Sequence, residues 1–316
     1  MVVLLDGTTL PEAPAAGKRL APLRAGRYAG VMEMLVFGHG YSAGYLTPLL
    51  TARGWNVTGT TREHPERVAA AGARPLIWPG AEDSLRQAIA RADAILVSAG
   101  PGPEGDPVLA QFRADLAQAR PGWLGYLSTT GVYGDRQGGW VDEDSELDGS
   151  GPRGKARIRA EADWQALARE NDLPLHIFRL AGIYGPGRGP FAKLRRGSAK
   201  RTVKPGQVFS RIHVEDIAQT LLASIDAPDP IGIYNLCDDE PAPPQDVIAH
   251  AAMLLGMDPP PEIPFEEAAR EMSPMARSFY ADSKRVSNVR IKERLGVALK
   301  YPGYDSGLRA ILRAEG

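Results

Sequence analysis

The chain has 316 residues, enough for a sizeable core in one large domain or two lobes. Its 43% hydrophobic and 24% charged residues are ordinary for a globular protein, and 37 basic against 38 acidic residues leave a net charge of −1, which argues against a nucleic-acid partner or a membrane surface. The single cysteine, Cys237, cannot form an internal disulfide, which suits a reducing cytoplasm, and no apolar run approaches membrane-spanning length.

Residues 1–32 carry prolines, glycines and scattered arginines, with Val2 to Leu5 as their one apolar run. That run is too short for a signal-peptide core. The expectation is a poorly ordered extension, with Met32 or Met34 as an alternative start and periodic structure from residue 33.

Met34-Leu35-Val36-Phe37 reads as a buried strand, followed by Gly38-His39-Gly40-Tyr41-Ser42-Ala43 and a helical pattern through Leu46, Leu49 and Leu50. Gly38, Gly40 and Ala43 fit G-x-G-x-x-A. The first glycine lets the chain turn off the strand, and the second lets a diphosphate approach the backbone. The small third residue lets the helix lie close on the sheet. Free N–H groups at the helix start would bind the phosphates, with Tyr41 and Ser42 supplying two of them. His39 is expected to point away from them.

Strands are predicted at 34–38, 55–60, 74–78, 93–98, 122–128 and 175–180, with helices at about 42–53, 64–72, 82–91, 106–118 and 154–171. This alternation predicts an α/β fold: a doubly wound parallel Rossmann sheet with helices on both faces. The second strand ends in Thr60-Thr61-Arg62. An acidic residue there would hold the ribose 2′-hydroxyl of NAD, whereas Thr61 and Arg62 suit a 2′-phosphate. The preferred cofactor is therefore NADP, with NAD as the alternative and Glu63 as the reason to keep it. The fourth strand ends in Ser98-Ala99-Gly100, small residues that leave room for a cofactor.

The fifth strand runs into Ser128-Thr129-Thr130-Gly131-Val132-Tyr133-Gly134. Together with the glycine loop it resembles the short-chain dehydrogenase/reductase superfamily, in its extended, epimerase/dehydratase-like branch. Phe178 to Arg188, Arg211-Ile212-His213-Val214-Glu215-Asp216 and Ile233-Tyr234-Asn235-Leu236 are similar to later segments of that branch. The resemblance implies a nicotinamide-binding Rossmann domain at 33–180 and a small C-terminal α+β substrate lobe at 181–316, with some late segments returning to the main domain. It also implies hydride-transfer chemistry on a small molecule, with a homodimer as a further expectation. Ser128 and Thr129 match the strand end that faces the cofactor, with Thr129 at the catalytic Ser/Thr position.

The resemblance breaks at the Tyr-x-x-x-Lys turn. Arg153 stands at the tyrosine position and Arg157 at the lysine position, and there is no tyrosine between Tyr133 and Tyr184. Arginine does not release its proton near neutral pH, so it cannot act as the acid. The chain is thus similar to atypical members of the superfamily. Tyr133, and after it Tyr184, are the remaining candidates for a proton donor. Thr130 and Gly131 replace the acidic pair that a dehydratase needs. The basic segment 189–211 lies beside the expected substrate crevice, and Arg188 and Arg211 are the candidates to meet an anionic substrate. The five histidines show no metal-ligand spacing. Two readings stay open: an NAD(P)-dependent oxidoreductase or epimerase-like enzyme with a rearranged proton donor, and an NADP-binding sensor without turnover.

Overall fold

The first apolar run forms the middle of a sheet, and its side chains alternate between two cores. Met34 and Val36 face one, Leu35 and Phe37 the other, and all four are at most 1% exposed. A strand covered on both faces needs apolar residues at consecutive positions, which is why this run is continuous. The computed structural model describes residues 31–149, 151–227 and 231–315. Residues 1–30 lie outside the described residues, and with them almost all of the expected N-terminal extension.

In chain order the first half holds β1 (Glu33–Phe37), α1 (Tyr41–Thr51), β2 (Asn56–Thr61), α2 (Pro65–Ala70), β3 (Arg74–Ile77), α3 (Glu82–Arg91), β4 (Ala94–Val97), α4 (Pro107–Ala119) and β5 (Trp123–Thr129). A 3₁₀ turn follows at Thr130–Tyr133, then β6 (Trp140–Val141), α5 (Gly151–Asn171), β7 (Leu175–Leu180) and β8 (Gly182–Tyr184). The remainder is α6 (Phe191–Arg195), β9 (Arg201–Val203), β10 (Arg211–His213), α7 (Val214–Asp226), β11 (Gly232–Leu236), α8 (Pro244–Leu254) and β12 (Glu262–Pro264). The last elements are α9 (Phe265–Ala268), α10 (Pro274–Phe279), β13 (Arg285–Val286), α11 (Val289–Leu295) and α12 (Tyr304–Glu315).

Seven strands form one parallel sheet in the order β11-β7-β5-β4-β1-β2-β3. The order reverses between β1 and β4, and a doubly wound sheet opens its ligand crevice at that switch point, beyond the strand C-termini. Late chain returns to this sheet: β11 pairs with β7, and α7 packs on α1. A third core joins Tyr184, Phe191, Val247, Leu308 and Ile311 from β8, α6, α8 and α12. Three further two-stranded pairs join β8 with β10, β9 with β12 and β6 with β13. No helix among the described residues is long and apolar enough to cross a membrane.

Candidate functional site

The crevice starts where β1 turns into α1. Gly38 has φ +76°, and a Cβ there would fall 2.9 Å from the Ala99 backbone nitrogen, so the position requires glycine twice over. The Gly38 N–H donates to Thr60 Oγ1 at 2.7 Å, a support for the loop that the sequence reading missed. Above Gly40 there is open space: a Cβ would meet only the Gly38 carbonyl oxygen, at 3.8 Å. Gly40 is the N-cap of α1, no side chain caps the helix, and its first turn holds no acid. Helix-start N–H groups without intrahelical partners, on a backbone stripped of side chain, are what a diphosphate needs. Ser42 and Ala43 are buried behind them.

His39 turns away as expected. Its ring lies on Gly59, where a Cβ would come within 2.7 Å, and Nε2 meets Thr47 Oγ1 at 2.8 Å. Because the Thr47 hydroxyl donates to the Ala43 carbonyl, the histidine is the donor of the pair, and burial lowers its pKa. At the end of β2, Thr61 is half-buried and Arg62 exposed, and the Thr61 hydroxyl accepts the His64 N–H at 3.2 Å. Ser98 and Ala99 are half-buried, and both backbone nitrogens donate to the Phe37 carbonyl.

At the end of β5 the side chains sort by strand parity. Tyr126 and Ser128 face α5, and Leu127 and Thr129 point the other way. The expectation that Ser128 meets the cofactor is therefore corrected: it is buried, and its hydroxyl donates to Glu161 Oε1 at 2.5 Å. Glu161 also receives Arg179, with Nη2 to Oε2 at 2.8 Å, in a pair whose side chains are 1% and 2% exposed. Tyr133 belongs to the same network. Its hydroxyl donates to Asn235 Oδ1 at 2.7 Å and accepts from Arg179 Nη1 at 2.9 Å, and burial pushes its pKa up to about 12. The reading of Tyr133 as a proton donor is thus also corrected, because a fully buried phenol with both partners filled cannot reach a ligand. Tyr184 is buried too, its hydroxyl unpartnered and pressed on Gly307.

Thr129 is half-buried, and its Oγ1 accepts the Gly131 N–H at 3.1 Å, so its own proton stays free to be donated. The start of α5 lies against this turn because Gly154 can approach Gly149 and the Gly131 carbonyl; a Cβ there would fall 2.9 Å from Gly149. Arg153 is exposed on the first turn of α5. Arg157, one turn on, reaches across to β5: Nη1 donates to the Leu127 carbonyl at 2.7 Å and to the Tyr126 hydroxyl at 3.0 Å. Its other terminal nitrogen lies against Gly100 at the end of β4. Arg157 therefore stands across the C-terminal ends of β4 and β5, a fixed positive charge that holds no transferable proton.

The two arginines expected to meet substrate differ in what they touch. Arg211 Nη1 is committed to the Phe209 and Ala242 carbonyls, at 2.9 and 3.1 Å, and burial lowers its pKa. Arg188 lies over the ring of Tyr41, beside the glycine loop.

A parallel sheet with its switch point at an uncapped glycine turn defines a Rossmann fold with an open crevice. The chain belongs to one family with Protein YeeZ of Escherichia coli K12 and has the fold of epimerase-type proteins. Protein YeeZ of Escherichia coli K12 is 30% identical over 288 residues, covering 85% of this chain and 96% of that protein. The 3-diazoavenalumate denitrifying reductase of a Streptomyces species is 30% identical over 177 residues, 53% of this chain and 58% of that one. Among solved structures, a functionally unknown conserved protein from Silicibacter pomeroyi DSS is 53% identical with a TM-score of 0.84, over 90% of this chain and 99% of that one. Epimerase-type proteins solved with NADPH or NAD share the fold, with TM-scores of 0.70 at 16–21% identity. No family model matches the chain.

Proposed function

We propose that the crevice binds NADP(H) and that the protein is an oxidoreductase or epimerase-like enzyme on a small anionic or nucleotide-linked molecule. The observation that carries the reading is the α1 N-terminus, uncapped, with open space over Gly40 and with Arg62 rather than an acid ending β2. The backbone of Gly40, Tyr41 and Ser42 would hold the diphosphate, and Thr61 and Arg62 the 2′-phosphate. Ser98 and Ala99 would line the floor. Bound there, the dinucleotide supplies hydride-transfer chemistry. Solved relatives of the fold that carry NADPH or NAD, and a sequence relative named as a reductase, support this reading. The single, buried Cys237 is consistent with a cytoplasmic site of action.

The chain's own residues do a limited set of things around that cofactor. Thr129 can donate a hydrogen bond to a substrate oxygen. Arg157 adds positive charge that favours an anion, but it moves no proton. A second reading, an NADP-binding sensor without turnover, is favoured by one observation: Tyr126, Tyr133 and Tyr184 are all buried, so none presents a free phenol to Thr129. Fluorescence separates the two readings. NADPH emission should change on binding, and its later loss on addition of carbonyl compounds marks an enzyme. Persistence of bound NADPH across a broad panel marks a sensor, and no change on adding protein removes both.

A further inference from the structure

The loop from Gly185 to Pro190, which leaves β8, is fastened onto the glycine turn. Tyr41, the first residue of α1, donates its hydroxyl to the Pro186 carbonyl at 2.9 Å. Gly185 makes this contact possible: its φ is +155°, and a Cβ would fall 2.5 Å from the Tyr41 hydroxyl and 2.7 Å from Val214 Cγ1. The next turn, closed by the Arg188 N–H on the Gly185 carbonyl at 2.9 Å, carries Arg188 back over the Tyr41 ring, with the guanidinium carbon 5.0 Å from its centroid.

Other arginines of this region are occupied. Arg157 and Arg211 donate to backbone carbonyls, Arg179 is paired with Glu161, and Arg195 holds Glu315 at 3.0 Å. Glu315 also accepts the Gly187 N–H at 3.4 Å, so the acid that ends α12 serves the loop backbone and Arg195. Arg188 is exposed, and no acid lies within ion-pair distance of it among the described residues. A planar cation is thus held by an aromatic ring one side chain away from the uncapped start of α1.

We propose that Arg188 is a diphosphate-binding residue, closing the crevice over the phosphates from the side opposite the α1 backbone, with Tyr41 as the platform that positions it. This rests on the reading of the crevice as a dinucleotide site. The guanidinium fork matches two phosphate oxygens at once, which neither a backbone N–H nor a lysine does. It reassigns Arg188 from substrate to cofactor and separates its role from that of Arg62. The diphosphate is common to NADPH and NADH, and the 2′-phosphate belongs to NADPH alone.

The test is a calorimetric titration of the full-length protein with NADPH and with NADH, comparing wild type, Arg188→Gln, Arg188→Lys and Arg62→Gln, with circular dichroism to confirm that each is folded. Arg188→Gln should weaken both dinucleotides by the same factor, about tenfold. Arg188→Lys should fall between it and wild type, and the gap should narrow at high salt. Arg62→Gln should weaken NADPH alone. Unchanged affinities in folded Arg188→Gln, or a loss confined to NADPH, would overturn the proposal while leaving the cofactor reading intact. Wild type binding neither dinucleotide would remove the cofactor reading, and the proposal with it.

Discussion

Replacing Glu161 by alanine tests whether the ion pair beneath the crevice holds the strand that carries Thr129. Arg179 gives Glu161 three bonds, from Nε at 3.2 Å to each oxygen and from Nη2 at 2.8 Å, and Ser128 adds a fourth at 2.5 Å. After the change, Arg179 keeps only the Tyr133 hydroxyl at 2.9 Å and the Glu143 carbonyl at 3.3 Å, while 2% exposed. Breaking a buried pair by removing one partner costs about 3–5 kcal/mol, because the remaining charge has no water to replace what it lost. The orphaned Ser128 hydroxyl adds about 1 kcal/mol. With about 2.1 cal/mol/K of unfolding entropy per residue, a total of about 4–6 kcal/mol in a 316-residue chain should lower the melting temperature by roughly 6–9 °C. Urea denaturation at pH 7 measures the free energy directly. The double variant Glu161→Leu with Arg179→Met should recover most of the loss, since removing both charges leaves no unpaired ion. A cost below about 1 kcal/mol for Glu161→Ala, or a double variant as unstable as the single one, would refute the reasoning.

Two further outcomes follow from the same geometry. Gly38→Ala puts a Cβ into a left-handed backbone and 2.9 Å from the Ala99 nitrogen; it should cost about 1–3 kcal/mol and weaken NADPH binding together with it, and a variant with wild-type stability would contradict the assigned turn. Asp238 is 1% exposed, its Oδ2 has no partner, and burial raises its pKa from the ordinary carboxylate value to about 8. The unfolded chain therefore ionises this group first, so wild-type stability should decline as pH rises from about 4 towards 8, and Asp238→Asn should not share that decline. By urea denaturation the gap between the two should widen by up to about 4 kcal/mol from pH 5 to pH 8; a constant gap would show that Asp238 titrates normally.

Much of the frame was legible because its signals are local. The continuous run at Met34–Phe37 and the glycines after it each report on a few neighbouring residues. The cap of α4 is local too: the Asp106 carboxylate accepts Val108 N–H at 2.9 Å and Leu109 N–H at 3.1 Å. The site was legible only as far as the backbone makes it. Ser128 and Tyr133 looked available because they follow a buried strand, yet their partners, Glu161, Arg179 and Asn235, come from three later elements. Strand parity held part of the answer: Ser128 shares a face with Tyr126, whose ring packs on Trp164 of α5 with centroids 5.7 Å apart. Parity shows the direction of a side chain but not what meets it. The partners of Arg188 and Arg211 were hidden in the same way, since a basic stretch reveals charge and leaves its contacts to tertiary structure.

On the proposed reading the glycine turn and the end of β2 hold NADP(H), and titration calorimetry of the wild-type protein and Gly40→Val decides it. NADPH should bind more tightly than NADH by about 1–2 kcal/mol, from the charge-assisted bond that Arg62 offers the 2′-phosphate. Gly40→Val should lose both ligands with folding intact, because the branched side chain would fill the space open above Gly40. Equal affinities for the two dinucleotides would remove the assignment of Arg62, and undiminished binding by Gly40→Val would contradict the reading itself.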